Sequence, residues 1–217
     1  MNLLVNLHAL AFAALLLLSP FTHSVKTTST NLLPHTGLSV NQAPSKWAID
    51  KSHSNVKFTV THMVVSETDG NFKIFGGSME NSKPDFSDAK IEFSVDVSSV
   101  NTENENRDKH LKGDDFFNSE KYPQMKFVST SFTPQGDNKY KLSGNLTIRD
   151  VTKPVVFDVV YGGSTNDRGG VRAGFKATTT VNRFDYNLKW DKLTEAGGLV
   201  VSKDVNIVIN VEMTKKS

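Results

Sequence analysis

Apolar and polar residues alternate along most of the chain between residues 55 and 213. The clearest stretch covers residues 140–149, where Leu142, Leu146 and Ile148 are separated by polar side chains. Because successive side chains of a β-strand point to opposite faces, each such stretch has one apolar and one polar face. Many stretches of this kind in a short chain predict a sheet that curls into a barrel or folds into a sandwich, with the apolar faces inside.

The alternation is strong enough in several segments to predict individual strands. Two positions add further signals, because Gly76 and Gly77 predict a bulge or bend and Pro154 is suited to the start of a strand. The predicted strands cover residues 47–50, 56–62, 72–80, 89–97, 126–132, 140–149, 155–161, 171–181 and 205–213.

One polar segment, residues 101–113, lacks the alternation. Thr102 and Glu105 have the spacing of a capping box, in which each side chain satisfies the backbone amide of the other residue. Gly113 is suited to end a helix in the left-handed conformation. The sequence therefore predicts a helical insertion near residues 102–118, between two strands, where it would form a lid at the mouth of a barrel.

A barrel of about eight strands is just wide enough to hold one apolar ligand. The alternation identifies the inward residues, but it does not distinguish those that line a cavity from those that only pack against each other. The inward candidates for ligand binding are Phe58, Val60, Phe93, Val95, Leu146, Ile148, Phe157, Phe175 and Ile207.

Three polar residues are candidates for the end of such a cavity. His62 has the same parity as Phe58 and Val60, so it is either a contact for a ligand head group or a core histidine bonded to the backbone. Arg107 and His110 are three residues apart and share one face of the predicted helix. Arg107 is suited to bind an anionic group such as a phosphate, or else it pairs with an aspartate and fixes the insertion to the barrel.

Composition narrows the possible functions. The chain has 217 residues, of which 37% are hydrophobic and 22% charged, and its formal net charge is +2; these values are typical of one globular domain or at most two. The weak charge, without clusters of Lys and Arg, gives no reason to expect nucleic acid. The absence of cysteine excludes thiol catalysis, disulfides and thiolate metal sites. Because no catalytic, cofactor or metal motif stands out, we expect no enzyme activity, no cofactor and no metal.

The first residues have features of a targeting segment. Residues 9–18 form an unbroken apolar run, which is too short to span a bilayer but typical of a secretory signal peptide. We predict a signal peptide over residues 1–24, a polar linker over 25–45 and a folded domain over 46–217, in a protein that is periplasmic or secreted. An uncleaved anchor is the alternative.

A barrel that spans a membrane would show the same alternation, with its apolar face toward lipid. The chain lacks regular aromatic girdles, and a well-capped helix in mid-chain is not typical of such barrels. We therefore predict a barrel that does not span a membrane.

Several short strings are specific enough to compare with a known family. The most specific string runs from Arg107-Asp108-x-His110-Leu111 to Tyr122-Pro123. The others are Trp47-x-x-Asp50-x-x-His53-Ser54, Gly144-Asn145-Leu146-Thr147-Ile148, Val151-Thr152-Lys153-Pro154-Val155 and Arg183-Phe184-Asp185-Tyr186. On these strings, the chain from about Trp47 to Met213 resembles the YceI-like family.

The resemblance implies a lipocalin-like, eight-stranded antiparallel barrel with a helical insertion, exported in bacteria and often dimeric. It also implies binding of a long amphiphile, such as a polyisoprenoid or a fatty-acid derivative, without enzymatic activity. Asp150 and Asn187 stand where the family usually has glycine, and residues 63–65 are Met-Val-Val where it has a segment containing glycine or serine. These departures concern the shape of the mouth and therefore the preference for a head group.

We therefore expect an exported protein that sequesters or carries a long-chain isoprenoid or acyl lipid inside its barrel, with a homodimer as a further possibility. One alternative is an enzyme that acts on such a lipid, with His53, His62 or His110 as general base. Another is a structural or stress-response module with a filled interior and no ligand.

Overall fold

The computed structural model describes residues 43–167 and 169–216 of the chain. The predicted signal peptide and residues 25–42 of the predicted linker lie outside the described residues. The elements are β1 (Ser45–His62), β2 (Ser66–Phe72), β3 (Phe75–Asn81), β4 (Lys90–Asp96), a 3₁₀ turn (Val97–Ser99), β5 (Val100–Asn101), α1 (Glu105–Lys112), β6 (Gln124–Gly136), β7 (Lys139–Ile148), β8 (Val151–Asp167), β9 (Gly170–Asn182), a 3₁₀ turn (Arg183–Tyr186) and β10 (Val201–Lys215).

Eight strand positions close into an antiparallel barrel. The first strand, β1, pairs with the last strand, β10, from Trp47 opposite Lys215 to His62 opposite Val201. Strands β2 and β3 share one position beside β1, because β3 pairs with the first residues of β1 and β2 pairs with the last ones. Strands β4, β6, β7, β8 and β9 complete the circuit to β10. The prediction of an eight-stranded antiparallel barrel with a helical insertion is therefore confirmed.

The prediction of two short strands at the start of the domain is wrong. Residues 47–50 and 56–62 belong to the single strand β1, whose pairing with β10 shifts register between Asp50 and Asn55. A shift of this kind adds residues to one strand and bends it. The irregular residues interrupt the alternation, which explains why the sequence pattern divides the strand in two.

The predicted bulge at Gly76 and Gly77 is also wrong. The pairing of β3 with β4 is continuous through both residues, and the chain leaves the strand at Lys73 and Ile74 instead. Gly77 allows a close approach between strands, because a Cβ at this position would lie 2.6 Å from the carbonyl oxygen of Glu92.

The helical insertion forms, but its ends differ from the prediction. Asn104 is the N-cap residue of α1, and its side-chain oxygen accepts a hydrogen bond from an amide of the first turn. The predicted capping box of Thr102 and Glu105 is therefore wrong: Thr102 is buried, and its amide and hydroxyl both donate to Asp108. Gly113 ends the helix with φ −75°, so it is extended rather than left-handed.

Arg149 ties the segment after α1 to the barrel. Its Nη1 donates to the carbonyl oxygens of Asp114 (2.9 Å), Phe116 (3.0 Å) and Asn187 (2.7 Å). Asn187 has φ 61°, so asparagine here adopts the left-handed conformation that glycine usually provides. One guanidinium group thus holds two loops together at the end of the barrel where β1 ends and β10 begins.

An aromatic plug closes the opposite end of the barrel. Phe86, in the loop between β3 and β4, is 5% exposed and has the rings of Trp47, Tyr161 and Phe175 around it at centroid distances of 5.9, 5.4 and 5.4 Å. Trp47 Nε1 donates to Asn81 Oδ1 over 2.7 Å, which satisfies the indole inside the plug. We expect this end to stay closed, because opening it would expose several packed aromatic rings.

Gly144 provides a test of the packing between β6 and β7. A Cβ at this position would overlap the ring of Phe127 and lie 2.5 Å from the carbonyl oxygen of Val128. We expect Gly144→Ala to lower the free energy of unfolding in urea by about 1–3 kcal/mol, the usual cost of overpacking. Gly174→Ala is the control, since a Cβ there meets nothing within 4 Å. A similar loss of unfolding free energy in both variants would show that the clash with Phe127 and Val128 is not the cause.

Candidate ligand-binding cavity

A cavity of about 370 Å³ occupies the barrel between the aromatic plug and α1. Its volume falls within the range of about 300–1,000 Å³ that is typical of small-molecule sites. Inward side chains from all eight strand positions form its wall, and most of them are apolar. The interior is therefore not filled from end to end, as a module without a ligand would require.

All of the candidate residues proposed from the sequence lie on the wall of this cavity. The structure brings nine apolar and three polar side chains, from six strands and α1, around one space. Contact of each residue with a ligand stays a prediction. The residues are Phe58, Val60, His62, Phe93, Val95, Arg107, His110, Leu146, Ile148, Phe157, Phe175 and Ile207.

The cavity wall also contains residues that the sequence reasoning missed. Ile209 and Val211 have the same parity as Ile207 on β10, so the alternation could have identified them. Others lie in the lid and in the loop before β10, where no periodic pattern marks an inward side chain. These residues are Leu111, Phe116, Phe117, Leu188 and Trp190.

Arg107 lines the α1 end of the cavity and is positioned by Thr102. Its Nε donates to Thr102 Oγ1 and its Nη2 donates to the Thr102 carbonyl oxygen, each over 2.8 Å. Thr102 Oγ1 in turn donates to Asp108 over 2.6 Å. Within the described residues no carboxylate lies within 4 Å of Arg107, so the alternative of a direct pair with an aspartate is not formed. The guanidinium is thus oriented by a neutral residue and keeps its charge for another partner.

Arg183 is a second arginine on the cavity wall, and sequence reasoning assigned it no role. It is 3% exposed, and its nitrogens donate to the carbonyl oxygens of Ser202 (2.9 Å), Leu188 (3.1 Å) and Val201 (3.1 Å). Burial lowers the pKa of its guanidinium, since desolvation disfavours the charged form. Because each nitrogen already donates to a carbonyl, we interpret Arg183 as a clamp between the 3₁₀ turn and the start of β10.

The histidines at this end of the cavity have different surroundings. His110 Nε2 lies 3.1 Å from Asp115 Oδ2, and its ring packs edge-on against Phe116 and Trp190. His62 lines the cavity, and no carboxylate lies within 4 Å of it in the described part of the chain. Neither ring nitrogen of His110 contacts a hydroxyl among the described residues. The arrangement is therefore suited to fixing the lid and to polar contact with a ligand, and it shows no paired nucleophile and base.

A charged cluster on the outer face of the barrel includes His53. Asp50, His53 and Glu212 each bring one potential metal-ligating atom within 4.8 Å of the others. However, Arg172 Nη1 lies 2.8 Å from Asp50 Oδ2 and also contacts Glu212, so a guanidinium already pairs with both carboxylates. We interpret the group as an ion-pair network that joins β1, β9 and β10. His53 lies in this network and does not line the cavity, which separates it from any chemistry there.

The geometry first defines the class of protein. It is a closed β-barrel with an apolar internal cavity, which is blocked at one end by aromatic rings and bordered at the other by an arginine and two histidines. The family follows from direct comparison. The model of the YceI-like domain matches residues 47–213, and the chain belongs to this family.

Individual relatives agree with this assignment. A UPF0312 protein of Pseudomonas putida is 38% identical over 185 residues, covering 82% of this chain and 92% of its own. The crystal structure of the YCEI protein of Campylobacter jejuni has 31% identity and a TM-score of 0.59, over 78% of this chain and 96% of that one. A polyisoprenoid binding domain from Saccharophagus degradans has a TM-score of 0.58 over 78% of this chain and 98% of its own, and its 14% identity makes the likeness one of fold.

Among the described residues, no helix is both long enough and apolar enough to cross a bilayer.

The ion-pair network predicts how stability depends on pH. Hydrogen bonds from Ser52, Arg172 and His53 hold the pKa of the Asp50 carboxyl well below its ordinary value of 3.8. Because the folded pKa lies below the unfolded one, the carboxylate stabilises the fold above about pH 4, and this contribution is lost as the pH falls below that value. We expect Asp50→Asn to be less stable than the wild type at pH 7 and to lose less stability in acid.

Thermal unfolding between pH 7 and pH 2.5 would measure this effect. Asp204→Asn, at an exposed position, is the control and should keep the pH slope of the wild type. Equal acid sensitivity of Asp50→Asn and the wild type would show that Asp50 does not carry the effect.

Proposed function

We propose that the barrel binds a single long-chain lipid, with an isoprenoid or acyl tail inside the cavity and the head group at the α1 end. The observation that carries this proposal is an apolar cavity that lies between an aromatic plug at one end and α1, with its polar residues, at the other. A ligand that fits must bring a long apolar body and needs few polar contacts. The description of the Saccharophagus neighbour as a polyisoprenoid binding domain agrees with this ligand class.

The length of the cavity wall supports a long tail. On β10, the lining residues extend from Val201 to Met213. At about 3.3 Å per residue this distance is about 40 Å along the strand, or about 30 Å along the axis of a barrel whose strands tilt by about 40°. That length is comparable to the hydrocarbon thickness of a bilayer, so a tail that normally occupies one leaflet fits along it.

The apolar wall also supplies enough binding free energy. Each methylene group that leaves water contributes about 0.8 kcal/mol, so a tail of ten or more carbons needs no covalent or ionic anchor. Most side chains along the wall are aliphatic or aromatic, and their contacts with a tail are not directional. We therefore expect discrimination by length and shape more than by chemistry along the tail.

The head group proposed for this ligand is anionic, such as a phosphate or a carboxylate. Arg107 lines the cavity, is oriented by Thr102, and has no carboxylate partner within 4 Å among the described residues. A guanidinium with a free edge binds such an oxyanion with charge-assisted hydrogen bonds. His62 and His110 lie on the same part of the wall and would add polar contacts.

The cellular setting of this function is proposed from the sequence. The apolar run over residues 9–18 supports export to the periplasm or secretion in a bacterium. A binding protein in that compartment would sequester or carry a lipid away from a membrane. A homodimer stays a prediction from the resemblance.

Lipid bound to the purified protein provides the first test. Native mass spectrometry of protein isolated from its own host should show an added mass, and organic extraction should release a long-chain lipid. Val60→Trp, which places an indole into the cavity, should reduce the bound lipid at least about tenfold, because the lost tail contacts are worth more than 1.4 kcal/mol.

Val156→Trp is the matched control, since Val156 is 49% exposed on the outside of β8. Both variants should keep the circular dichroism spectrum of the folded barrel. Wild-type protein that repeatedly lacks lipid, or equal retention in both variants, would contradict lipid binding in the cavity.

A charge-removing variant tests the head group. We expect Arg107→Gln to weaken binding of a prenyl phosphate or a fatty acid about 10–100-fold, since hydrogen bonds to charged groups contribute about 1.5–3 kcal/mol. Binding of the corresponding prenyl alcohol should change little. Lys109→Gln removes the same charge from α1 at a residue that does not line the cavity, and it should bind all three lipids like the wild type. An equal loss for the alcohol and the phosphate would argue against an anionic head group.

A further inference from the structure

Three consecutive apolar residues form an exposed turn at the α1 end of the barrel. Met63, Val64 and Val65 connect β1 to β2 and are 48%, 77% and 86% exposed. Leu193, which is 58% exposed, lies on the neighbouring loop, and a hydrogen bond of 2.8 Å from the Met63 amide to the Val200 carbonyl joins that loop to the turn. We call Met63, Val64, Val65 and Leu193 the apolar rim.

The backbone of this turn is strained. Met63 has φ 51° and Val64 has φ 68°, which is the left-handed region that β-branched residues rarely adopt. The Val65 amide donates to the His62 carbonyl oxygen over 3.2 Å, so Met63 and Val64 are the central residues of a β-turn within this three-residue loop. Turns with positive φ at both central residues strongly favour Asn-Gly. A strained residue lowers the stability of the fold and persists mainly at functional sites. The turn therefore combines an unfavourable backbone with exposed apolar side chains, and neither feature helps the chain to fold.

Two facing segments beside the turn carry no formal charge, whereas Leu193 lies between Lys192 and Glu195. Residues 58–66 and 196–202 contain no Asp, Glu, Lys or Arg, although 22% of the whole chain is charged. These segments lie side by side, since His62 pairs with Val201 at the junction of β1 and β10. Burial of charged groups is the main cost when a protein surface enters an apolar medium. The turn and residues 196–202 are therefore suited to an apolar partner, and the charges beside Leu193 stand at the edge of this surface.

The rim is continuous with the cavity. His62, Val200 and Val201 line the cavity, and His62 directly precedes the turn. The opposite end of the barrel is closed by the aromatic plug. A tail that leaves the cavity past α1 therefore meets the apolar rim.

We propose that the apolar rim inserts into the surface of a lipid bilayer while the barrel loads or releases its ligand. This inference rests on the proposed function, because a long-chain lipid is held in membranes before and after transport. The bilayer is the partner that provides an apolar, uncharged medium at the mouth of the cavity. Insertion would shorten the path of the tail through water, where each exposed methylene is unfavourable.

A site-specific label tests the insertion. The chain has no cysteine, so Val64→Cys gives a single site for an environment-sensitive fluorophore in the full-length protein. With vesicles of phosphatidylcholine, the emission should shift to shorter wavelengths, and nitroxide-labelled lipids should quench it. Val156→Cys, on the outside of β8, is the control and should show neither effect. No response at position 64, or equal responses at both positions, would overturn the proposal.

A second variant separates insertion from folding. Met63→Asn with Val64→Gly gives the turn the residues that its backbone favours, so the variant should melt no lower than the wild type. Transfer of a fluorescent fatty acid from the protein to the vesicles should slow about tenfold, since losing the insertion of even one of these two apolar side chains accounts for that factor. Val156→Ser with Val160→Ser removes exposed apolar surface elsewhere and should transfer at the wild-type rate.

The two measurements distinguish this inference from the proposed function. If the wild type binds no lipid, the proposed function fails whatever the label at position 64 shows. If lipid is bound and transferred but the label stays in water, the function holds and the rim proposal is wrong. A shift that depends on protein concentration without vesicles would identify a second copy of the chain as the partner and would also contradict insertion.

Discussion

The hydrogen bonds between β1 and β10 are the constraint on which the rest of this structure depends. They join the two ends of the domain, so the sheet has no open edge at this seam and its apolar face becomes an interior. The register places Phe58 opposite Ile207 and Val60 opposite Val205, and these four side chains line the cavity. On the outside, the network around Arg172 joins the same two strands to β9. The seam is therefore held by backbone pairing, by inward apolar contacts and by outward charges.

The two ends of the barrel are closed by different means. The plug around Phe86 consists of large aromatic rings in mutual contact, which are costly to separate. At the other end, α1 has no buried residue, and the loops after it are held by the hydrogen bonds of Arg149 and Arg183. The two ends of the cavity therefore differ in function, because only the end with Arg107 and the apolar rim is suited to open for a ligand.

The same end carries features that work against stability. Val64 is strained and exposed, Arg183 is charged and buried, and Arg107 has no carboxylate partner among the described residues. Real proteins break the rules of local consistency mainly at functional sites. The strands of the barrel follow those rules closely, with apolar residues inside and polar residues outside. These unfavourable features are concentrated at the α1 end. We therefore interpret this end as the site where the protein binds its ligand and contacts the membrane that supplies it.

The alternation alone determined that the chain is all-β with one apolar face on each strand, because a period of two is a local property. It left a barrel and a sandwich open, and the eight-stranded barrel was implied by the resemblance to the YceI-like family. The alternation also determined which strand residues face inward, and all nine apolar candidates line the cavity. Three features depended on tertiary contacts: the capping of α1, the continuity of β1 as one strand, and the bend at Lys73. Asn104 replaces Thr102 as the cap because Thr102 is taken by Asp108 and Arg107, and no pattern in the sequence shows that competition.

The open volume was decided only by the tertiary structure. Alternation shows that a side chain points inward, but the space left between opposite walls depends on strand tilt, register and the volumes of residues that are distant in sequence. The wall residues of the lid and of the loop before β10, such as Phe116 and Trp190, come from segments without periodicity. Their position followed from tertiary contacts such as those of Arg149 with its carbonyl partners. The sequence thus specified the two faces of each strand, and packing across the barrel decided that the apolar faces enclose a cavity.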